Sequence, residues 1–130
     1  MSIKEMIQDH PQVGEGYTEE LGQAVKHAMY GAAIMNSCAD ACLAEPNAGE
    51  RAECIRRCLD ASDACTAFYR MGSRRTGGNV PAIKAIGEAV LVAVKACHDL
   101  CKMHDDSHCK RCTKMCEEIL ADVRKALDTM

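Results

Sequence analysis

The chain has 130 residues and a formal net charge of −3, with acids and bases interspersed along its length. That bounds one domain with a single core and leaves no basic face for nucleic acid. No apolar run approaches the ~20 residues needed to span a bilayer. Residues 1–10 carry mixed charge and no apolar signal core, so the expected location is cytoplasmic. Trp is absent and Phe occurs once among abundant helix formers, which points to an all-α fold.

Residues 1–17 read as a weakly structured N-terminal lead-in, with room for one short helix before Pro11. The helical bundle occupies residues 18–130. Its first helix opens at Thr18 as N-cap, with Glu19 and Glu20 in the first turn, and stops near Ala44, ahead of Pro46. The second starts at Asn47, with Glu50 three residues on as in a capping box, and ends at Met71 with Gly72 as the stop. Gly72–Val80 is the one obvious linker; its Arg74 and Arg75, with Arg70, form a basic cluster expected in a solvated turn. Pro81 suits the first turn of a third helix reaching Met103. Asp105, Asp106 and Ser107 make a turn and cap for a fourth, running to Asp128. Four long helices with short connections predict an up-down-up-down four-helix bundle.

Ten cysteines are the most informative feature: Cys38, Cys42, Cys54, Cys58, Cys65, Cys97, Cys101, Cys109, Cys112 and Cys116. Eight form C-x-x-x-C pairs, 38/42, 54/58, 97/101 and 112/116. A four-residue step is just over one helical turn, so both thiols of a pair point the same way. The order of pairs suggests two pseudo-symmetric hairpins, since 38/42 and 54/58 repeat as 97/101 and 112/116. In an up-down-up-down bundle all four pairs meet at the end carrying the 44–48 and 104–108 turns. The other half of each inward stripe is small or apolar: Ala24, Ala28, Gly31 and Met35, then Phe68, then Ile83, Ile86, Val90 and Val94, then Ile119, Val123 and Leu127. Only Cys65 reaches far into that half.

Facing helices stand 8–10 Å apart, beyond the ~7 Å Cα limit for a disulfide, and cytoplasmic thiols stay reduced. Thiols on matched faces therefore suggest a soft-metal cluster, whereas a single buried cysteine would read as core packing. Several ions bridged by shared thiolates fit the length of the cluster. Cu(I) is the softest common candidate. The alternatives are a single zinc or iron–sulfur centre on fewer of the cysteines, or a purely structural interaction module whose cysteines are core. Zinc is usually held by C-x-x-C knuckles on turns, and Cys109/Cys112, the one pair with that spacing, falls on a helix.

Cys54-Ile-Arg-Arg-Cys58-Leu-Asp-Ala-Ser-Asp-Ala-Cys65 resembles the cysteine-rich helix of the bacterial copper storage proteins, and Cys109-Lys-Arg-Cys112-Thr-Lys-Met-Cys116 extends the likeness over most of residues 20–128. The resemblance implies a four-helix bundle holding many Cu(I) ions on inward thiolates, as in cytosolic members of that family. Carried over position by position, it assigns only the ten cysteines as ligands. Ala61 and Ile119 stand where the family pattern would place further cysteines.

His98, His104 and His108 fall at the cysteine-rich end. His104 and His108 are candidate accessory ligands, whereas His98, beside Cys97, is expected to face water. His10 and His27 are expected to be structural. Met35, Met103 and Met115 are more readily core filler than thioether ligands. Catalysis finds no support: there is no E-x-x-H pair and no phosphate-binding glycine loop. The outer faces of such a bundle allow a homo-oligomer, whose order the spacing does not set. The expected partner is copper itself, bound by a site already folded without metal.

Overall fold

A computed structural model describes all 130 residues. Five helices run in order: α1 (Ile3–Gln8), α2 (Glu19–Leu43), α3 (Ala52–Gly72), α4 (Val80–Cys101) and α5 (Ser107–Asp128). The four long ones close into an antiparallel ring. α2 packs on α3 and α5, α4 packs on the same two, and α1 lies against α2. The lead-in contributes to the common core, with Ile7 fully buried and Val13 nearly so. Fully burying a side chain such as Ile7 is worth about 1.5–3 kcal/mol.

Local chemistry accounts for several of the boundaries. The Thr18 side chain accepts a hydrogen bond from the Leu21 backbone N–H at 3.1 Å, and Pro81 lies in the first turn of α4. The second long helix departs from expectation. Asn47 makes no capping bond, and a 3₁₀ turn, Ala48–Arg51, precedes α3. The Asn47 carboxamide oxygen instead accepts from Arg51 Nε at 2.8 Å. Gly72 is likewise not a left-handed stop. It is the last residue of α3, and Ser73 after it is still in the right-handed helical region. A Cβ at Gly72 would come within 2.7 Å of Val25 Cγ2, so glycine serves close approach of α2 and α3 there. The third long helix ends two residues early, at Cys101, with Lys102 as cap. In the basic linker, Asn79 ties the turn by donating to the Arg74 carbonyl at 3.1 Å and accepting from Thr76 N–H at 2.9 Å.

The predicted apolar half is present. Phe68, Met35, Ile83, Val90, Val94, Ile119 and Val123 are fully buried. Ile86 is only partly so. Ala61 and Ile119 both face the interior with no exposure, and each interrupts the ladder of sulfur where it stands. Across from Ile119, Gly31 lets α2 and α5 approach, because a Cβ on Gly31 would overlap Ile119 Cδ1. His27 pairs with Asp122 between the same two helices, a structural role.

Candidate metal centre

All ten cysteines are free thiols and all are buried. The helical step aims each C-x-x-x-C pair inward, and the antiparallel ring brings the four pairs to one end. The sulfurs then lie in contact across helices. Cys58 Sγ is 3.2 Å from Cys97 and 3.4 Å from Cys101. Cys101 is 3.7 Å from both Cys54 and Cys112. Cys97 lies 3.9 Å from Cys112, and Cys42 lies 3.9 Å from Cys109. Cys65 is fully buried one level deeper, with no other sulfur in contact, although the charge of Cys116 still acts on it.

Three close donor groups contain cysteine, Cys38/Cys58/Cys101/Cys112, Cys38/Cys42/His108/Cys109 and Cys97/Cys112/Cys116, and a fourth, Glu45/Asp106/His108, shares His108 with the second. Cys38 belongs to the first two, and Cys112 links the first to the third. A thiolate can bridge metal ions, so these two shared sulfurs join the groups into one continuous donor network.

Charge in that network is unevenly held. Cys101 is driven well below the ordinary thiol range, foremost by hydrogen bonding with Cys112 and then with Cys38, Cys54 and Cys58. Its neighbours Cys58 and Cys112 are driven well above it, with Cys101 the foremost cause in each. Cys116 is lowered to about 5, chiefly through Cys112 and then Cys97. For Cys38, Cys101 acts upward, but Cys112, Cys58 and His108 prevail and bring it to about 6. Cys65 has no such support, and burial pushes it up to about 12. Low-dielectric surroundings disfavour many thiolates together unless a cation joins them.

The histidines separate clearly. His108 Nδ1 faces Cys38 Sγ at 3.3 Å and Cys109 Sγ at 3.6 Å, while Nε2 lies 3.0 Å from Glu45 Oε1. A carboxylate on the far nitrogen is the usual way to orient a metal-ligating imidazole. Burial pushes the His108 pKa down, but Cys38 and Glu45 outweigh it and leave the value raised. His104 is half-buried on the α4–α5 turn and stands outside all of the donor groups. His98 points away from the sulfurs, with Nε2 2.9 Å from Glu117 and Nδ1 3.1 Å from Asp99. Met35 is buried and Met115 nearly so, whereas Met103 is 73% exposed.

The sequence reading missed Arg51. Its side chain is buried, with Nη1 3.6 Å from Cys109 Sγ, 3.8 Å from Cys42 Sγ and 2.6 Å from Asp106 Oδ2. A permanent cation therefore sits among the thiols at the end of the bundle. Only the 3₁₀ turn, which rotates it inward, reveals the role.

A family profile described as "Copper storage protein" matches residues 17–128. The chain belongs to the copper storage protein family. Among solved structures, it is similar to the copper storage protein Ccsp of Streptomyces lividans loaded with 10 copper equivalents: 27% identity, TM-score 0.93, covering 99% of this chain and 100% of that one. A structure of the cytosolic copper storage protein of the same organism, with five coppers, matches at 30% identity and TM-score 0.82, covering 86% and 95%. A histidine-to-alanine variant of Ccsp matches at 30% identity and TM-score 0.81, covering 85% and 93%. No curated protein matches the chain. The four-helix architecture expected from four long helices with short connections is thus the architecture of this family.

Proposed function

We propose that this copper storage family member holds several Cu(I) ions as cargo in the cytoplasm, on bridging thiolates of its ten cysteines, and has no catalytic role. The observation that carries this reading is the sharing of Cys38 and Cys112 between donor groups. Isolated structural centres have no need of shared sulfurs, whereas a soft monovalent ion that accepts two or three thiolates gains from them. Each incoming Cu(I) displaces thiol protons and brings positive charge to a buried, proton-sharing sulfur network, so affinity falls with acid.

His108 serves as the nitrogen donor beside Cys38, oriented by Glu45. His104, on the turn nearby, acts at most as a transient contact at the same end. Cys65 is the last sulfur to fill, because no other thiol lies in contact with it.

A second reading draws on Cys38, Cys42, Cys109 and His108, since three thiolates and an imidazole are also a zinc donor set. An anaerobic Cu(I) titration of the reduced protein against a chromophoric Cu(I) chelator decides between them. Tight uptake of several ions, with zinc displaced, is the expected result. Uptake of a single ion, or zinc retained against Cu(I), would overturn storage.

A further inference from the structure

Arg51 closes the axial end of the sulfur chamber. Its guanidinium lies over Cys42 and Cys109, held on one side by Asn47 and on the other by Asp106 from the opposite turn. Both thiols beneath it have no exposure at all. A carrier arriving along the bundle axis meets this packed, ion-paired cap before it meets sulfur.

The side of the bundle differs. Between α2 and α5 a cleft of about 330 Å³ is lined by Ser37, Cys38, His108, Arg111, Lys114 and Glu118, together with apolar neighbours. That volume is in the range of small-molecule sites. Cys38, at its floor, is one of two cysteines with any exposure, 3%; the other, Cys54, lines no cleft. Cys38 is also the sulfur shared by the Cys38/Cys42/His108/Cys109 and Cys38/Cys58/Cys101/Cys112 groups, so an ion delivered there reaches both in one further exchange. The rim carries two cations, Arg111 and Lys114, against one carboxylate, Glu118, and none of the three is ion-paired.

We infer that this lateral cleft is the loading port, and that it takes Cu(I) from an anionic low-molecular-weight thiolate carrier. This rests on the copper reading above. In the transfer, Cys38 Sγ forms a bond to Cu(I) and one carrier sulfur–copper bond breaks. Cys38 reacts as the thiolate, the departing carrier thiolate takes its proton from solvent, and copper remains Cu(I) throughout. His108 and the sulfurs behind Cys38 then compete for the remaining coordination positions.

The test uses the full chain, reduced and anaerobic, with Cu(I) presented either as its anionic glutathione complex or as its cationic cysteamine complex. Uptake is followed by stopped-flow ultraviolet absorption of the copper–thiolate bonds. Loading from glutathione is expected to be the faster. The double variant Arg111→Glu, Lys114→Glu should slow it about tenfold, in line with electrostatic steering, speed loading from cysteamine, and leave the final capacity unchanged. Equal rates from the two carriers, indifferent to the charge reversal, would overturn the port.

Alkylation of the metal-free protein gives a readout independent of copper. Among Cys38, Cys42 and Cys109, iodoacetamide should modify Cys38 first, and Arg51→Gln should expose Cys42 and Cys109. Labelling of Cys42 and Cys109 as fast as Cys38 in the parent chain would point to axial access and sink the proposal. Failure to take up copper at equilibrium, with this labelling order intact, would instead overturn the copper reading.

Discussion

Arg51 Nη1 lies 2.6 Å from Asp106 Oδ2, joining the 3₁₀ turn before α3 to the turn before α5 across the end of the bundle. The pair explains why Asp106, at the N-cap position of α5, makes no capping bond. Its carboxylate is committed to Arg51, and that contact holds its pKa below the usual range. A depressed carboxylate contributes stability that is present above its unfolded pKa and lost as pH falls through the folded value. The metal-free protein should therefore lose stability as pH drops below about 4, and Arg51→Gln should flatten that acid limb while lowering the urea midpoint at neutral pH. An unchanged acid limb in the variant would show that the pair is not coupled to folding.

Gly31 and Ile119 set the distance between α2 and α5. Adding a methyl group at Gly31 forces Ile119 out of its rotamer in a fully buried position, so Gly31→Ala should destabilise the protein by about 1–3 kcal/mol. Ile119→Val alone should cost about 0.5–1.5 kcal/mol, yet it should relieve most of the Gly31→Ala penalty when combined with it. Strict additivity in this double-mutant cycle, measured by chemical denaturation, would rule out the contact.

Cys65 reports on the deep half of the core. Burial, then the charge of Cys116, raises its pKa to about 12, against about 8.5 for an unfolded thiol. For a raised pKa the stability is fully present below the unfolded value and is lost as pH rises toward the folded one. Metal-free protein should therefore weaken between about pH 8.5 and 12, and Cys65→Ala should reduce that alkaline slope in thermal melts.

The shared sulfurs should dominate copper capacity. Cys38→Ser and Cys112→Ser each break two donor groups, whereas Cys65→Ser removes a thiol with no sulfur in contact. Both hub variants should lose more tightly held Cu(I) than Cys65→Ser, measured by anaerobic titration against a competing chelator. Equal losses at all three positions would mean that the ions sit independently rather than on bridging sulfurs.

The C-x-x-x-C spacing made the inward direction of each thiol pair legible, and the turn signals at Pro46 and Asp105–Ser107 made it legible that all four pairs share one end. Thr18 and Pro81 were readable because their effects are local. Asn47 and Gly72 were misread because a distant partner claimed each: Arg51 took the Asn47 side chain, and Val25 required the missing Cβ at Gly72. His104 and His108 look equivalent as neighbours in sequence, yet only His108 turns a ring nitrogen to the sulfurs.

A helical bundle with soft donors gathered at one end follows from the order of residues alone, because helical periodicity acts over a few residues and fixes which side chains share a face. The tertiary structure decided which sulfurs touch, that Cys38 and Cys112 are shared, that Arg51 is buried over Cys42 and Cys109, and that a cleft reaches Cys38 from the side. Those relationships depend on how far each helix is rotated and slid against its neighbours, and long-range packing sets both.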